Sequence, residues 1–335
     1  MRDLARNPLP EPEPDLGSWP WGSEMPDLPG TMPGGGAWPK ISIVTPTLNQ
    51  DRFIEATVRS VLLQGYPNLE YIVIDGGSGD RTLAILEKYR AWIDVLVSEP
   101  DRGQSHALNK GFALSTGKIL GWLNSDDLYC AGSLARVAAT FAQQDCDILS
   151  GNTVYLDGER IGERKAPALR PVPELLRTYL SPAPQPSTFW KRDCWAQFGP
   201  LDESLHYRMD YALFLCFAAS DYRWCVSEDD LAVFRRHAAQ KTWSWRASGI
   251  HAEKAAAVGR FSQFEDFAAR YAADIRRALL YEGWLASWIA QNDPADGEAG
   301  RLGRLLSAPF HNWRCLVTPS YYRQVGKTLW RLLSR

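Results

Sequence analysis

Between residues 40 and 150 the apolar positions alternate between short continuous runs and stretches where they recur every three to four residues. Ile41–Val44, Tyr71–Ile74, Asp94–Val97, Ile119–Leu123 and Asp147–Leu149 read as strands buried on both faces. Between the first two, Ile54, Val58, Val61 and Leu62 fall at i, i+4, i+7 and i+8, the spacing of one helix face. Leu83, Leu86 and Tyr89 predict a second helix, Gln104–Ser115 a third and Leu134–Phe141 a fourth. Strands alternating with helices imply right-handed crossovers and an α/β fold: a doubly wound, mostly parallel sheet with helices on both faces. The periodicity fades after about residue 150. From there to about 240 the pattern gives short strands, turns and one strong helix near Asp210–Phe217.

The two ends differ from this middle. Residues 1–38 are rich in proline, glycine and acids and poor in periodic apolar positions, which predicts a flexible leader. Residues 39–245 form the main domain, and 246–335, rich in Ala, Arg and Trp at helical spacing, a helical C-terminal extension. Its last stretch, 301–335, holds seven Arg or Lys and no Asp or Glu, together with Trp313, Tyr321, Tyr322 and Trp330. Such a basic, aromatic, amphipathic tail suits peripheral contact with an anionic membrane surface.

Composition narrows the function classes. At 45% hydrophobic residues the chain is globular, and a net charge of -2 gives no support for a nucleic-acid partner. No run of about 18 apolar residues reads as a membrane-spanning helix, and the acidic, proline-rich N-terminus does not read as a signal peptide. Six cysteines are scattered without CxxC spacing and read as thiols of a reducing compartment. The expected location is the cytoplasm, with the tail reaching the inner face of the cell membrane.

The chemistry concentrates in Lys118-Ile-Leu-Gly-Trp-Leu-Asn-Ser-Asp-Asp127, an apolar strand that ends in two adjacent carboxylates. Two acids at the exit of a buried strand repel each other and are costly to desolvate, and a divalent cation would relieve both. Ligands of open α/β sheets sit beyond the carboxyl ends of the strands, so the pair marks a crevice mouth. The first strand runs into Thr45-Pro-Thr-Leu-Asn-Gln50, which has no glycine and so no loop to cradle phosphates on backbone amides. A metal bridging the acids and a diphosphate is the natural substitute.

Seven segments, in order, resemble the family 2 glycosyltransferases: Ser42–Asn49, Ser60–Glu70, Ile74–Ser78, Glu99–Ser105, Ala107–Gly111, Trp122–Asp127 and Met209–Asp210. The resemblance implies a Rossmann-like GT-A fold, with residues 39–150 as the nucleotide-binding half and 151–245 as the acceptor-binding half. It also implies a nucleotide-diphosphate sugar donor with uridine as the default base, a divalent cation (Mn²⁺ or Mg²⁺), and inversion at the anomeric carbon. The acceptor it implies is a glycan or lipid-linked glycan. Pro46 and Thr47 match backbone contacts to the base, Asn49 a turn-ordering position, and Asp75 an acid that meets base or ribose. Arg102 stands where a phosphate contact is possible. Asp127 matches the principal metal ligand, Asp126 the acid on the ribose or a metal-bound water, and His237 a late histidine completing the metal shell. Asp210, in Met-Asp-Tyr, matches the base that deprotonates the acceptor. This chain departs from the family at Gly76, where many members have a second acid, and at Asn124, where many have the first acid of the metal motif. Two other readings remain at this point: a nucleotidyltransferase, against which the missing glycine-rich basic loop counts, and a binding module that has lost turnover.

Overall fold

The computed structural model describes residues 28–280 apart from 159, 179, 239 and 242–248, and before them 9–11, 19–21 and Pro26. The basic tail at 301–335 and Cys315 lie outside the described residues. The chain divides into two compact units, residues 1–172 with 180–240, and residues 173–179 with 241–335.

The first half of the first unit follows the apolar pattern. In order come β1 (Ile41–Thr47), α1 (Ile54–Leu62), β2 (Leu69–Asp75), α2 (Thr82–Lys88), β3 (Val95–Ser98), α3 (Gln104–Leu114) and β4 (Ile119–Trp122). The four strands lie parallel in the order β3-β2-β1-β4. The rest of the unit is mixed. It contains β5 (Leu128–Tyr129), α4 (Ser133–Gln143), β6 (Ile148–Asp157) and β7 (Arg160–Lys165). After α5 (Val172–Arg177), which falls almost wholly in the second unit, come β8 (Thr188–Lys191), α6 (Arg192–Phe198), α7 (Met209–Ala219) and β9 (Trp224–Arg236). The full sheet runs β3-β2-β1-β4-β8-β6-β9-β5, with β7 paired to β6. β8 is antiparallel to β4 and β6, while β9 runs parallel to β6.

Side chains of successive strand residues point to opposite faces, so each strand feeds two cores. On one face Ile41, Ile43, Tyr71, Val73 and Phe189 pack with Val58 and Val61 of α1, Leu86 of α2 and Leu134 and Val137 of α4. On the other, α3 lies so close to β1 and β2 that a side chain at Gly111 would run into Val44 and Ile74. Trp190 of β8 meets Phe112 of α3 and Phe214 and Phe217 of α7 there, with ring centroids 5.7–6.2 Å apart. The helices thus cover both faces. In the second unit α8 (Gly249–Phe261) and α9 (Glu265–Arg270) meet through Phe261 and Phe267, stacked at 5.1 Å. Among the described residues no helix is long and apolar enough to cross a membrane.

Parts of the proline-rich leader are tied down rather than loose. Arg59 of α1 is buried, and its guanidinium donates to the Pro10 and Pro20 carbonyls at 2.8 and 3.0 Å. Trp19 donates its indole N–H to the Tyr129 carbonyl at 2.8 Å. A buried cation needs acceptors, and these leader carbonyls supply them.

At the amino end of the parallel sheet Glu70 clamps three segments. It accepts from Lys40 at 2.7 Å, from Ser42 Oγ at 2.5 Å and from Thr116 Oγ1 and N–H at 2.6 Å each. Burial opposes its ionisation, but these donors outweigh burial and bring its pKa down to about 2. A depressed carboxyl pKa contributes stability above the unfolded value of about 4.3, lost as pH falls through the folded one. With half-exposed Lys40 partly screened, Glu70→Gln should cost about 2 kcal/mol at pH 7. Urea denaturation from pH 7 to pH 2 should show the difference from wild type shrinking below about pH 4.

Candidate active site

The acid pair sits in the turn that leaves β4, where the Asp127 N–H donates to the Asn124 carbonyl at 3.1 Å. No helix follows, because β5 starts at Leu128, so helix capping does not account for these carboxylates. Asp127 has no exposed surface: Oδ1 accepts the Arg235 backbone N–H at 3.2 Å, and Oδ2 is buried without a hydrogen-bond partner among the described residues. Burial first, then the neighbouring Asp126 charge, pushes its pKa well above the ordinary carboxylate value, against the pull of Arg235. Asp126 is partly exposed, and its Oδ2 lies 3.1 Å from His237 Nε2. The structure therefore presents Asp126, rather than Asp127, to solvent. His237 stacks on Phe53 with ring centroids 4.2 Å apart, and its Nδ1 is buried with no partner among the described residues.

Arg235, unmarked in the sequence beside its neighbour His237, holds this turn. Its Nε donates to the Asp126 carbonyl at 2.5 Å, and Nη2 donates to the Phe53 carbonyl at 3.1 Å and Thr57 Oγ1 at 3.0 Å. Thr57 Oγ1 in turn lies 2.8 Å from both the Ser125 and Asp127 carbonyls. Burial lowers the guanidinium pKa to about 10, while the Asp127 and Asp126 charges oppose that fall, and it stays protonated at neutral pH. Asn124 belongs to an amide network: its Oδ1 accepts from Trp122 Nε1 and Gln104 Nε2 at 2.7 Å each, and its Nδ2 donates to Gln185 Oε1 at 3.1 Å. A carboxylate at 124 would lose the bond to Gln185, since it has no N–H to give.

The residues expected at the nucleotide cluster beyond β1 and β2. Asn49 has φ 52°, a left-handed conformation that asparagine tolerates. Its N–H donates to Ser78 Oγ and its Oδ1 accepts the Gly79 N–H, both at 2.8 Å, so it joins the two loops. Pro46 and Thr47, at the end of β1, are buried opposite Ile74 and Asp75 of β2. The Asp75 carboxylate is fully buried and occupied, accepting from Ser78 Oγ at 2.5 Å, Ser98 Oγ at 2.6 Å and the Ser78 N–H at 3.1 Å. Arg102 is exposed and donates to Glu203 at 2.6 Å, which ties the β3 loop to the 201–205 segment.

Asp210 is the second residue of α7, where a negative charge is favoured near the helix N-terminus. It is partly exposed, and its Oδ1 accepts the Tyr211 N–H at 2.7 Å. Burial raises its pKa, against the Tyr211 N–H and the charges of Arg208 and Lys165. Its described contacts are with these groups rather than with the acid pair. Among the described residues no three His, Cys, Asp or Glu side chains converge as a ready-made metal cage.

A parallel β-sheet half with acids and a histidine gathered beyond its strand ends is the arrangement of an α/β nucleotide-binding protein. Residues 42–196 match the family model for glycosyl transferase family 2, and this part of the chain is a domain of that family. The chain is 30% identical over 122 residues to the UDP-Glc:α-D-GlcNAc-diphosphoundecaprenol β-1,3-glucosyltransferase WfgD of Escherichia coli, covering 36% of this chain and 48% of that protein. It spans 40–48% of the length of the curated relatives it matches. In fold it is similar to S. aureus TarS 1–349 in complex with UDP-GlcNAc, with TM-score 0.57, 16% identity, and 87% of this chain and 92% of that one covered. It is also similar to the mannosyltransferase PcManGT from Pyrobaculum calidifontis in complex with GDP-Man and Mn²⁺, with TM-score 0.50, 19% identity, and 87% and 84% covered. At these identities the two structures speak for the GT-A fold.

Arg235→Met should destabilise the protein by about 3 kcal/mol, because the Asp126 and Phe53 carbonyls and the Thr57 hydroxyl lose their charged donor and Asp127 loses the nearby positive charge. Urea denaturation at pH 7 measures this, and an unchanged midpoint would show that Arg235 does not hold the turn.

Proposed function

We propose that the chain is a metal-dependent inverting glycosyltransferase that moves a sugar from a nucleotide-diphosphate sugar, a UDP-sugar, to a hydroxyl of a glycan or lipid-linked glycan in cell-surface polysaccharide synthesis. The observation that carries this reading is the under-compensated double acid leaving β4. Asp127 Oδ1 accepts the Arg235 backbone N–H and Asp126 Oδ2 faces His237, while Asp127 Oδ2 is buried with no hydrogen-bond partner among the described residues. That donor set fits a hard divalent cation that takes one or two carboxylates from protein and the rest of its oxygens from phosphate and water. Asp126 and His237 would hold the cation from the accessible side, with Asp127 behind them, and when bound it would neutralise the leaving diphosphate. The Mn²⁺ held by PcManGT and the uridine donors of WfgD and TarS support the cation and the base. The lipid-diphosphate acceptor in the WfgD name supports the acceptor class. The basic tail at 301–335 would keep the enzyme at the anionic membrane surface where such an acceptor resides.

In this mechanism Asp210 takes the proton from the acceptor hydroxyl as that oxygen attacks the anomeric carbon in line with the departing diphosphate. Its raised pKa makes it a stronger base than an ordinary carboxylate. Pro46, Thr47, Asn49 and Asp75 form the nucleotide end, and Asn49 and Asp75 act there by fixing the loops. Arg102 would reach a phosphate only by releasing Glu203.

Calorimetry of UDP, GDP, dTDP and CDP, each with and without Mn²⁺, tests the donor site. One diphosphate should bind, and its binding should collapse without metal or in Asp126→Ala. Absence of any metal-dependent binding would leave the fold as a module without turnover. Asp210→Asn should bind donor normally yet transfer roughly 10²- to 10⁴-fold more slowly. In the wild type, transfer should rise with pH through a pKa above the ordinary carboxylate value of about 3.9, since the base must be ionised. Wild-type rates in Asp210→Asn would remove the residue from the reaction.

A further inference from the structure

The loop that closes β2 lies against the loop that closes β3 with no side chain between them. A Cβ built on Gly76 would stand 2.5 Å from Asp101 Oδ2 and 2.9 Å from its Cγ, closer than real Cβ atoms approach. Gly76 is not among the residues with positive φ, so its backbone accepts any L residue. A side chain there would push the carboxylate aside. Asp101 is anchored by Oδ1, which accepts the Gly103 N–H at 2.8 Å, while Oδ2 makes no hydrogen bond among the described residues. The Gly76 N–H donates to the Thr47 carbonyl at 2.9 Å. Thr47 Oγ1, on a residue only 4% exposed, also has no hydrogen-bond partner among the described residues.

A carboxylate oxygen with no hydrogen bond among the described residues thus stands at the bare backbone of Gly76. The position is also where an α/β sheet receives its ligand, beyond the carboxyl ends of parallel strands, and where a strand-end carboxylate takes a ribose hydroxyl in dinucleotide folds. Asp75 cannot do this while Ser78 and Ser98 saturate both its oxygens.

We propose that Asp101, rather than Asp75, is the acid that selects the nucleoside of the donor. Oδ2 accepts a hydrogen bond from a ribose hydroxyl or a base N–H, with Gly76 keeping the space open. This rests on the donor site proposed above. Asp101→Asn keeps an oxygen for the Gly103 N–H and puts an NH₂ where Oδ2 stands. Gly76→Ala keeps Asp101 but pushes its carboxylate aside.

The test is calorimetry of full-length wild type, Asp101→Asn and Gly76→Ala with Mn²⁺. The titrants are the four diphosphates above and the 2′-deoxy counterpart of the preferred one, with circular dichroism confirming that each variant is folded. Both variants should bind the preferred diphosphate roughly 10- to 100-fold more weakly, the range for losing a hydrogen bond to a charged group. Loss of the wild type's preference for the ribo over the 2′-deoxy form assigns the bond to ribose. Loss of its preference among bases assigns the bond to a base N–H. Wild-type affinity and selectivity in both folded variants, with Asp126→Ala still abolishing binding, would overturn the role of Asp101 and leave the donor site standing. A wild type that binds none of the diphosphates would overturn both.

Discussion

The Arg235 guanidinium is the group on which the geometry of the acid turn depends. Its donors reach three separate segments: the Asp126 carbonyl in the turn, and the Phe53 carbonyl and Thr57 hydroxyl of the loop and helix after β1. The backbone N–H of the same residue holds Asp127 Oδ1. A lysine offers one point charge on a flexible stem, whereas the planar fork can satisfy acceptors in fixed, diverging directions. Removing it would leave Asp127 buried beside a second acid with no opposing positive charge, the situation in which a carboxyl holds its proton and ceases to be a cation ligand. The same side chain is therefore a structural brace and the electrostatic condition for two carboxylates at one turn.

The sheet order explains why this brace comes from so far along the chain. β4 lies in the middle of the sheet and β5 at its edge, four strand spacings or about 19 Å away if the sheet were flat. The connection from Trp122 to Leu128 contains a turn closed by the Asp127 N–H on the Asn124 carbonyl, which cuts its reach to about 17 Å. The sheet has to curl for the ends to meet, and the curl brings the end of β9 against α1. Arg235 and His237 arrive at the site by that route, from the last part of the first unit.

How legible this was in the sequence follows from burial. β1, β2 and β4 are buried on both sides, so they stand out as apolar runs, and the helices between them carry one clean stripe each. β9 has Ser227-Glu-Asp-Asp230 in its middle, lying at least partly exposed, and β7 is exposed throughout, so neither shows an apolar alternation. β8 spans four residues and follows a turn, too short for a period to register. The parallel half was readable, and so were α4, the start of β6 and α7 in the mixed half, whereas β7, β8 and β9 were not. At the site, the acid pair and His237 were legible as residue types. Arg235 and Thr57 were not, because an arginine among arginines and a threonine inside a helix carry no local sign that their partners lie about 70 to 180 residues away. Nor did the composition of the leader reveal that its Pro10 and Pro20 carbonyls accept from the buried Arg59.

The acids of this domain divide the labour by what else each must satisfy. Asp75 is surrounded by hydroxyls and amides that use both oxygens, which makes it a fixture of the β2 loop. Asp127 has one oxygen committed to backbone and the other enclosed, so it stands behind Asp126 without meeting solvent. Asp126, Asp101 and Asp210 each combine one held oxygen or a nearby brace with partial exposure. A carboxylate held by one hydrogen bond is oriented, while its second oxygen remains available to a ligand. That combination, more than the presence of an acid in a motif, separates the carboxylates equipped to meet a ligand from those that shape the loops around it.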